Sequence, residues 1–176
     1  MSCTNKGFNM ALKDVLQDAL NEWGWEDEIE HDDDDDTDYV RTTTVMFDQS
    51  YSFVIYTDEE RQSITISVKS PVTIPKIRFA DATVLLNRFN LGLRFGRFTC
   101  YDEDGGLIYS NTLDLEGLHP VPVVFTNLRD SAGFAFSEHR CNAIGALVFT
   151  KQSTADIISE YEENIASPAA DEDGDD

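Results

Sequence analysis

SITISVKS, residues 63–70, alternates without a break: Ile64, Ile66 and Val68 fall on one side of an extended chain, Thr65, Ser67 and Lys69 on the other. Successive side chains of a strand point to opposite faces, so one face of this segment belongs to a core and the other to water. That is the habit of an antiparallel sheet. Upstream, residues 39–47 and 51–57 are rich in β-branched and aromatic side chains, and the Asp48-Gln49-Ser50 link is short enough for a hairpin. Pro71 and Pro75 lack the N–H that a ladder needs and are expected to close this three-stranded meander.

Outside the meander the period changes. Phe8, Leu12, Val15, Leu16, Ala19, Leu20 and Trp23 share one face at helical spacing, with Asn9 as a cap and Gly24 as the terminator. A second helix is predicted over 79–89, its buried stripe being Ala82, Leu85, Leu86 and Phe89, and Asn90 and Gly92 end it. Two further strands, Leu93–Tyr101 and Leu107–Leu115, flank Glu103-Asp104-Gly105-Gly106, whose Asp-Gly pair tolerates the positive φ of a tight turn. Helical spacing returns from Val121 through Phe136, is expected to break near 141–145, and resumes in a short helix opened by Ser153. The order implies an α+β fold: a five-stranded antiparallel sheet with helices packed on one face.

A chain of 176 residues with 41% hydrophobic residues has material for one core, so it is read as a single domain over 1–166. Its formal charge is −21, of which fifteen charges lie in two segments without Lys or Arg, 26–38 (EDEIEHDDDDDTD) and 171–176 (DEDGDD). Both are expected to be solvated and disordered, the first as a loop and the second within a tail over 167–176. The charge opposes nucleic acid and anionic membrane as partners. Cys3, Cys100 and Cys141 are few, scattered and odd in number, which suits reduced thiols. Neither an apolar leader nor a long apolar run is present, so a cytoplasmic location is expected.

No catalytic constellation emerges, and no enzyme activity, metal or cofactor is expected. Asp32–Asp36 offers oxygen ligands without the glycine and terminal Glu of an EF-hand, and reads as a solvated run. Asp102-Glu103-Asp104-Gly105-Gly106 reads as a turn for the same reason. His31, His119 and His139 have no zinc spacing with one another or with a cysteine, and the His139 and Cys141 side chains diverge. Arg88, Arg94 and Arg97 interleave with Phe89, Phe95 and Phe98 to make the one basic, aromatic cluster of the chain.

Residues 74–117, IPKIRFADATVLLNRFNLGLRFGRFTCYDEDGGLIYSNTLDLEG, carry a recognisable order. Pro75 leads a helix, Asn87 and Asn90 lie at its end, and Gly96-Arg97-Phe98 opens a strand; Asp104-Gly105 forms a turn, and Leu113-Asp114-Leu115-Glu116-Gly117 closes the second strand. This order resembles the YbjN-like bacterial proteins, and the likeness extends over roughly residues 8–165. The resemblance implies a fold similar to the type III secretion chaperones, which are small acidic dimers that bind extended segments of partner proteins. It also implies a regulatory role without established catalytic residues.

The resulting expectation is a non-enzymatic protein-interaction module, a homodimer that binds a segment of a partner protein. The alternative is a regulatory domain for a small ligand, which would need an enclosed apolar cavity. Aromatic and arginine side chains dominate binding hot spots, so Arg94, Phe95, Arg97, Phe98 and Tyr101 are the candidate interaction residues, on a strand edge open to an added peptide. Against this, Phe95 and Phe98 differ in parity, so one of them belongs to the core, and Arg97 has Asp114 or Glu116 as a cross-hairpin partner.

Overall fold

In the computed structural model, which describes residues 11–101, 103–115, 118 and 120–166, the alternating stretch at 63–70 lies within an antiparallel sheet of six strands. The chain order is α1 (Leu12–Trp23), β1 (Glu30–Asp32), β2 (Thr37–Met46), β3 (Gln49–Asp58), β4 (Ser63–Thr73), a 3-10 turn (Lys76–Arg78), α2 (Phe79–Gly92), β5 (Arg97–Cys100), β6 (Gly106–Asp114), α3 (Pro122–Ala135), α4 (Glu138–Phe149) and α5 (Thr154–Ala166). Across the sheet the order is β1-β2-β3-β4-β6-β5. The crossover from β4 to β6 therefore carries α2 and the edge strand β5.

The period-two pattern does what its chemistry requires. Tyr51, Phe53 and Ile55 of β3 and Ile64, Ile66 and Val68 of β4 are buried, while Ser52, Val54, Tyr56, Thr65 and Ser67 between them are partly exposed. Helix α1 covers the buried face with Leu12, Val15, Leu16, Ala19 and Leu20, and its N-terminal Leu12 N–H donates to the Glu59 carboxylate. Gly24, at φ 69°, ends that helix, and Trp25 N–H returns to Leu20 O at 3.0 Å. The opposite face is a hydroxyl ladder in which Thr65 faces Thr112 at 2.9 Å and Ser67 faces Ser110 at 3.1 Å.

Several boundaries depart from the sequence expectation. The sheet has six strands, not five, because Glu30–Asp32 pairs with Thr37–Tyr39 inside the stretch read as a disordered acidic loop. One partner from beyond that stretch reduces its self-repulsion: the Lys13 ammonium lies 2.9 Å from Asp38. Within the stretch, the His31 ring lies 3.2 Å from Asp38 and 3.6 Å from Asp36. Strand β4 continues through Pro71 to Thr73, with a register shift between Lys69 and Thr73 that accommodates the missing donor. The two-residue turn after β2 is Phe47-Asp48, both at positive φ, one residue earlier than the expected link. The break between the C-terminal helices falls at Phe136-Ser137, leaving α4 continuous through 141–145. Ser153 caps α5 as expected, accepting from Asp156 N–H at 3.2 Å. Asn9 and the tail at 167–176 lie outside the described residues.

Arg140 of α4 is buried, and no sequence pattern marks it. Its Nη1 donates to the carbonyls of Phe134 and Ala135 at 3.1 and 3.4 Å, the last carbonyls of α3, and the guanidinium lies over the rings of Phe89 and Phe134. A helix C-terminus and two ring faces all present negative potential, which offsets the desolvation of the charge.

Candidate functional site

The last helical turn of α2 decides how the fifth strand is finished. Asn90 accepts from Phe98 N–H at 2.7 Å and donates to Phe98 C=O at 3.1 Å, so one side-chain amide satisfies both outward backbone groups at the middle of β5. An edge strand presents such groups as a template for another chain, and here the template is occupied from within. The Phe98 ring points inward, only 3% exposed, among Phe89, Tyr109 and Phe136 at centroid distances of 5.0–5.9 Å. Of the two candidate phenylalanines, this one belongs to the core and is no contact residue.

Two glycines fix the hairpin. Gly96 has φ 67°, and a Cβ there would sit 2.4 Å from Tyr109 Oη and 2.7 Å from Ser110 O, so only glycine lets the chain turn off the sheet at this point. Gly105 has φ 70°, and a Cβ would meet Ile74 O at 2.1 Å. At the same turn the Asp104 carboxylate accepts from Gly106 N–H at 2.8 Å and faces Lys69 Nζ at 3.4 Å. The Gly106 N–H foremost, and then the ammonium, hold its carboxyl below the ordinary carboxylate range.

Because the chain leaves the sheet at Gly96, β5 is four residues long, where the sequence pattern extended it back to Leu93. Strand β6 has nine residues, and β5 pairs only with Leu107–Ser110. The rest of β6 borders a groove of about 460 Å³ lined by Phe95, Asn111, Leu113, Val124, Leu128 and Ser131 among others. Tyr109 Oη donates to Phe95 O at 3.0 Å, and Asn111 Nδ2 donates to Ser131 Oγ at 3.2 Å, so the groove's frame is bonded on both sides. Burial raises the Tyr109 hydroxyl above its ordinary pKa and keeps it a donor.

Three of the five candidate residues gather at this groove. Phe95 lines it, 55% exposed, with the Arg94 guanidinium 5.0 Å from its ring centroid. Arg97, exposed and opposite Ser110, lines an adjoining hollow with Gly96, Asn111 and Thr112. Neither Arg94 nor Arg97 forms an ion pair among the described residues, whereas Arg88 pairs with Glu162. Tyr101 lies apart, with Arg41, Tyr56 and Lys69 in a shallow hollow on the hydroxyl-bearing face. The reading from sequence missed Asn111, Leu113, Val124 and Leu128. Their signal was the length mismatch of the hairpin, visible only once Gly96 is known to end the pairing.

A second cleft of about 520 Å³ opens between the β2–β3 hairpin and α3, lined by Trp25, Met46, Phe53 and Phe134 with Arg129 and Asp130. Elsewhere, Tyr51 Oη and Cys141 Sγ are 3.3 Å apart, and burial pushes both groups above their ordinary pKa values. That thiol is therefore held neutral. Among the described residues no group of three His, Cys, Asp or Glu side chains is arranged to hold a metal ion, and no helix is long and apolar enough to cross a membrane.

The family model described as "YbjN: Putative bacterial sensory transduction regulator" matches residues 12–122, more than half of the chain. The chain belongs to the YbjN family. Its match spans α1 through β6, and so includes the Asn90 clasp, the Gly96 exit and the Asp104-Gly105 turn. Among solved structures, E. coli YbjN is similar at 10% identity, covering 73% of this chain and 91% of that one with a TM-score of 0.48. The ExsC-ExsE complex is similar at 11% identity, covering 72% and 92% with a TM-score of 0.44. The HopA1-SchA chaperone-effector complex, also at 11% identity, covers 70% and 88% with a TM-score of 0.47. No curated protein matches the chain.

Proposed function

We propose that this YbjN-family protein is a non-enzymatic interaction module, chaperone-like or regulatory, that holds a segment of a partner protein in the groove between β6 and α3. The observation that carries the reading is the juxtaposition of an open apolar groove with Arg94 and Arg97, neither of which has an ionic partner among the described residues. Apolar walls supply area, and the arginines select what lies beside it. Family membership supports a regulatory role, and a groove that opens to solvent between a strand and a helix suits a segment of chain as its occupant. The small-ligand alternative is less well supported, because neither this groove nor the cleft beside α3 is enclosed.

The proposal includes a homodimer. Val84 and Leu91 of α2 are exposed and lie seven residues apart, on one face of the helix, where a two-fold partner would cover them. Light scattering should then give about twice the chain mass of 19.8 kDa. The function itself is tested by affinity capture from a lysate of the source bacterium, comparing the wild type with the folded double variant Arg94→Glu plus Arg97→Glu. One specific protein should be lost from the variant's eluate. Equal recovery of every captured protein by both forms rejects the surface.

A further inference from the structure

The geometry of the vacated sheet edge points to the form of the partner: we propose that it binds as an extended segment, adding a strand beside β6 at Thr112. Its apolar side chains would face α3, and one acidic side chain would lie beside Arg97. This rests on the protein-binding reading above and specifies the ligand of that same groove.

The ladder fixes which backbone groups are available. Phe98 turns both its N–H and its C=O to Asn90, away from β6, so its neighbours Arg97 and Thr99 are the residues of β5 that bond to β6. Their partners, Ser110 and Ile108, therefore face β5, and residues of the same parity further along β6 face the same way. Leu115, of opposite parity, bonds in the other direction, its N–H donating to Gln62 O at 2.8 Å. Thr112 consequently aims its N–H and C=O into the lane that β5 does not reach. The chain that would have filled that lane, Leu93–Gly96, is diverted at Gly96 and tied back through Phe95 O to Tyr109 Oη.

Side-chain parity then specifies the occupant. A strand in this lane is antiparallel to β6 and continues the line of β5. Residues opposite Asn111 and Leu113 turn toward α3, into the groove walled by Phe95, Val124 and Leu128. The residue opposite Thr112 turns the other way, onto the face that carries Arg97, about 7 Å from it along the strand and within reach of its long side chain. An acidic residue there supplies Arg97 with the ionic partner it lacks among the described residues. The chain's net charge of −21 disfavours a long acidic run, whereas a single acid is governed by its nearest cation, because charges beyond about 8 Å are screened at physiological salt. The occupant is therefore apolar-acidic-apolar in alternation. A helix is the poorer fit, since it satisfies its own backbone groups and leaves those of Thr112 unmet. The other sheet edges are poorer hosts: β1 carries Glu30 and Asp32, the middle of β5 is closed by Asn90, and β2 beyond Tyr39 borders a cleft whose arginine, Arg129, is already paired with Asp130.

The test uses the full-length protein and a displayed library of random twelve-residue peptides. Enriched peptides should show the apolar-acidic-apolar alternation. Synthetic versions, methylated at one backbone nitrogen at a time, should lose binding at least tenfold at alternate positions only. Amide exchange at Thr112 should be fast in the free protein and slowed at least tenfold by peptide, while Asn111 and Leu113, already bonded to β4, stay unchanged. Thr112→Pro removes the outward donor, together with the hydroxyl that faces Thr65, and should lower affinity; the methylation scan tests the same strand pairing without altering the protein. A flat methylation scan with an unprotected Thr112 amide, for peptides still abolished by Val124→Arg, overturns the strand and leaves the protein-binding reading standing. Failure to enrich any peptide, or peptides indifferent to Val124→Arg and to Arg94→Glu plus Arg97→Glu, overturns both. A Thr112 amide protected in the free dimer and exposed on dilution to the monomer shows that a second copy fills the lane, and also rejects the proposal.

Discussion

Removing the Asn90 amide isolates the contact that finishes the sheet. Asn90→Ala deletes two hydrogen bonds and leaves Phe98 N–H and C=O without partners at a part-buried edge. A net hydrogen bond contributes about 0.5–1.5 kcal/mol, and each group left unmet where water cannot reach costs about 1–3 kcal/mol. The Phe98 side chain is core, but its backbone lies at the outer strand, where water recovers part of the loss, so the expected destabilisation is about 2–3 kcal/mol. For a domain of this size each kcal/mol lowers Tm by about 2–4 °C, giving a drop of about 4–12 °C. Calorimetry measures the drop, and amide exchange at Phe98 should accelerate more than exchange in β3. Asn90→Asp keeps an acceptor for the N–H but sets a carboxylate against the Phe98 carbonyl, so it should rescue only in part. An Asn90→Ala protein melting within about 1 °C of wild type, less than the shift from a single ordinary bond, with Phe98 exchange unchanged, would refute the reasoning.

Gly96→Ala combines a left-handed φ with contacts of 2.4 Å to Tyr109 Oη and 2.7 Å to the Ser110 carbonyl, and should cost about 2–4 kcal/mol in urea unfolding. A midpoint equal to wild type would mean that the chain exits the sheet elsewhere. Asp104 is titrated by carboxyl chemical shift: because Gly106 N–H and then Lys69 hold its folded pKa below the ordinary 3.8, its stabilisation is complete above 3.8 and is lost as pH falls through the folded value. Asp104→Asn should flatten that acid limb, and a wild-type midpoint at or above 3.8 contradicts the turn geometry.

Local pattern made the central sheet and most helices legible. Residues 51–57 and 63–70 alternate because one face is wet, and the buried stripes of α1 and α2 repeat at helical spacing because they dock on that sheet. The Asp104-Gly105 turn was likewise visible, since positive φ is a demand met by residue type. Reading Arg94, Phe95 and Arg97 as anchor chemistry located one rim of the groove. Phe98 in the same run went to the core, as the opposite parity of residues 95 and 98 required of one of them.

Tertiary structure decided what depends on residues far apart in the chain. Strand β1 forms where Lys13, brought in from α1, meets Asp38, a neutralisation that a local count of charge misses. The exit of the chain at Gly96 is set by Tyr109 and Ser110, and the closure of the β5 edge by an amide eight residues away on a helix. The groove needs Leu113 from one element and Leu128 from another. Residue type and spacing determine whether a segment can be strand, helix or turn, because those choices are made by each residue's own φ and ψ and its nearest neighbours. Which strand stops short, and which backbone groups thereby fall outside the ladder, is settled by long-range contacts between elements.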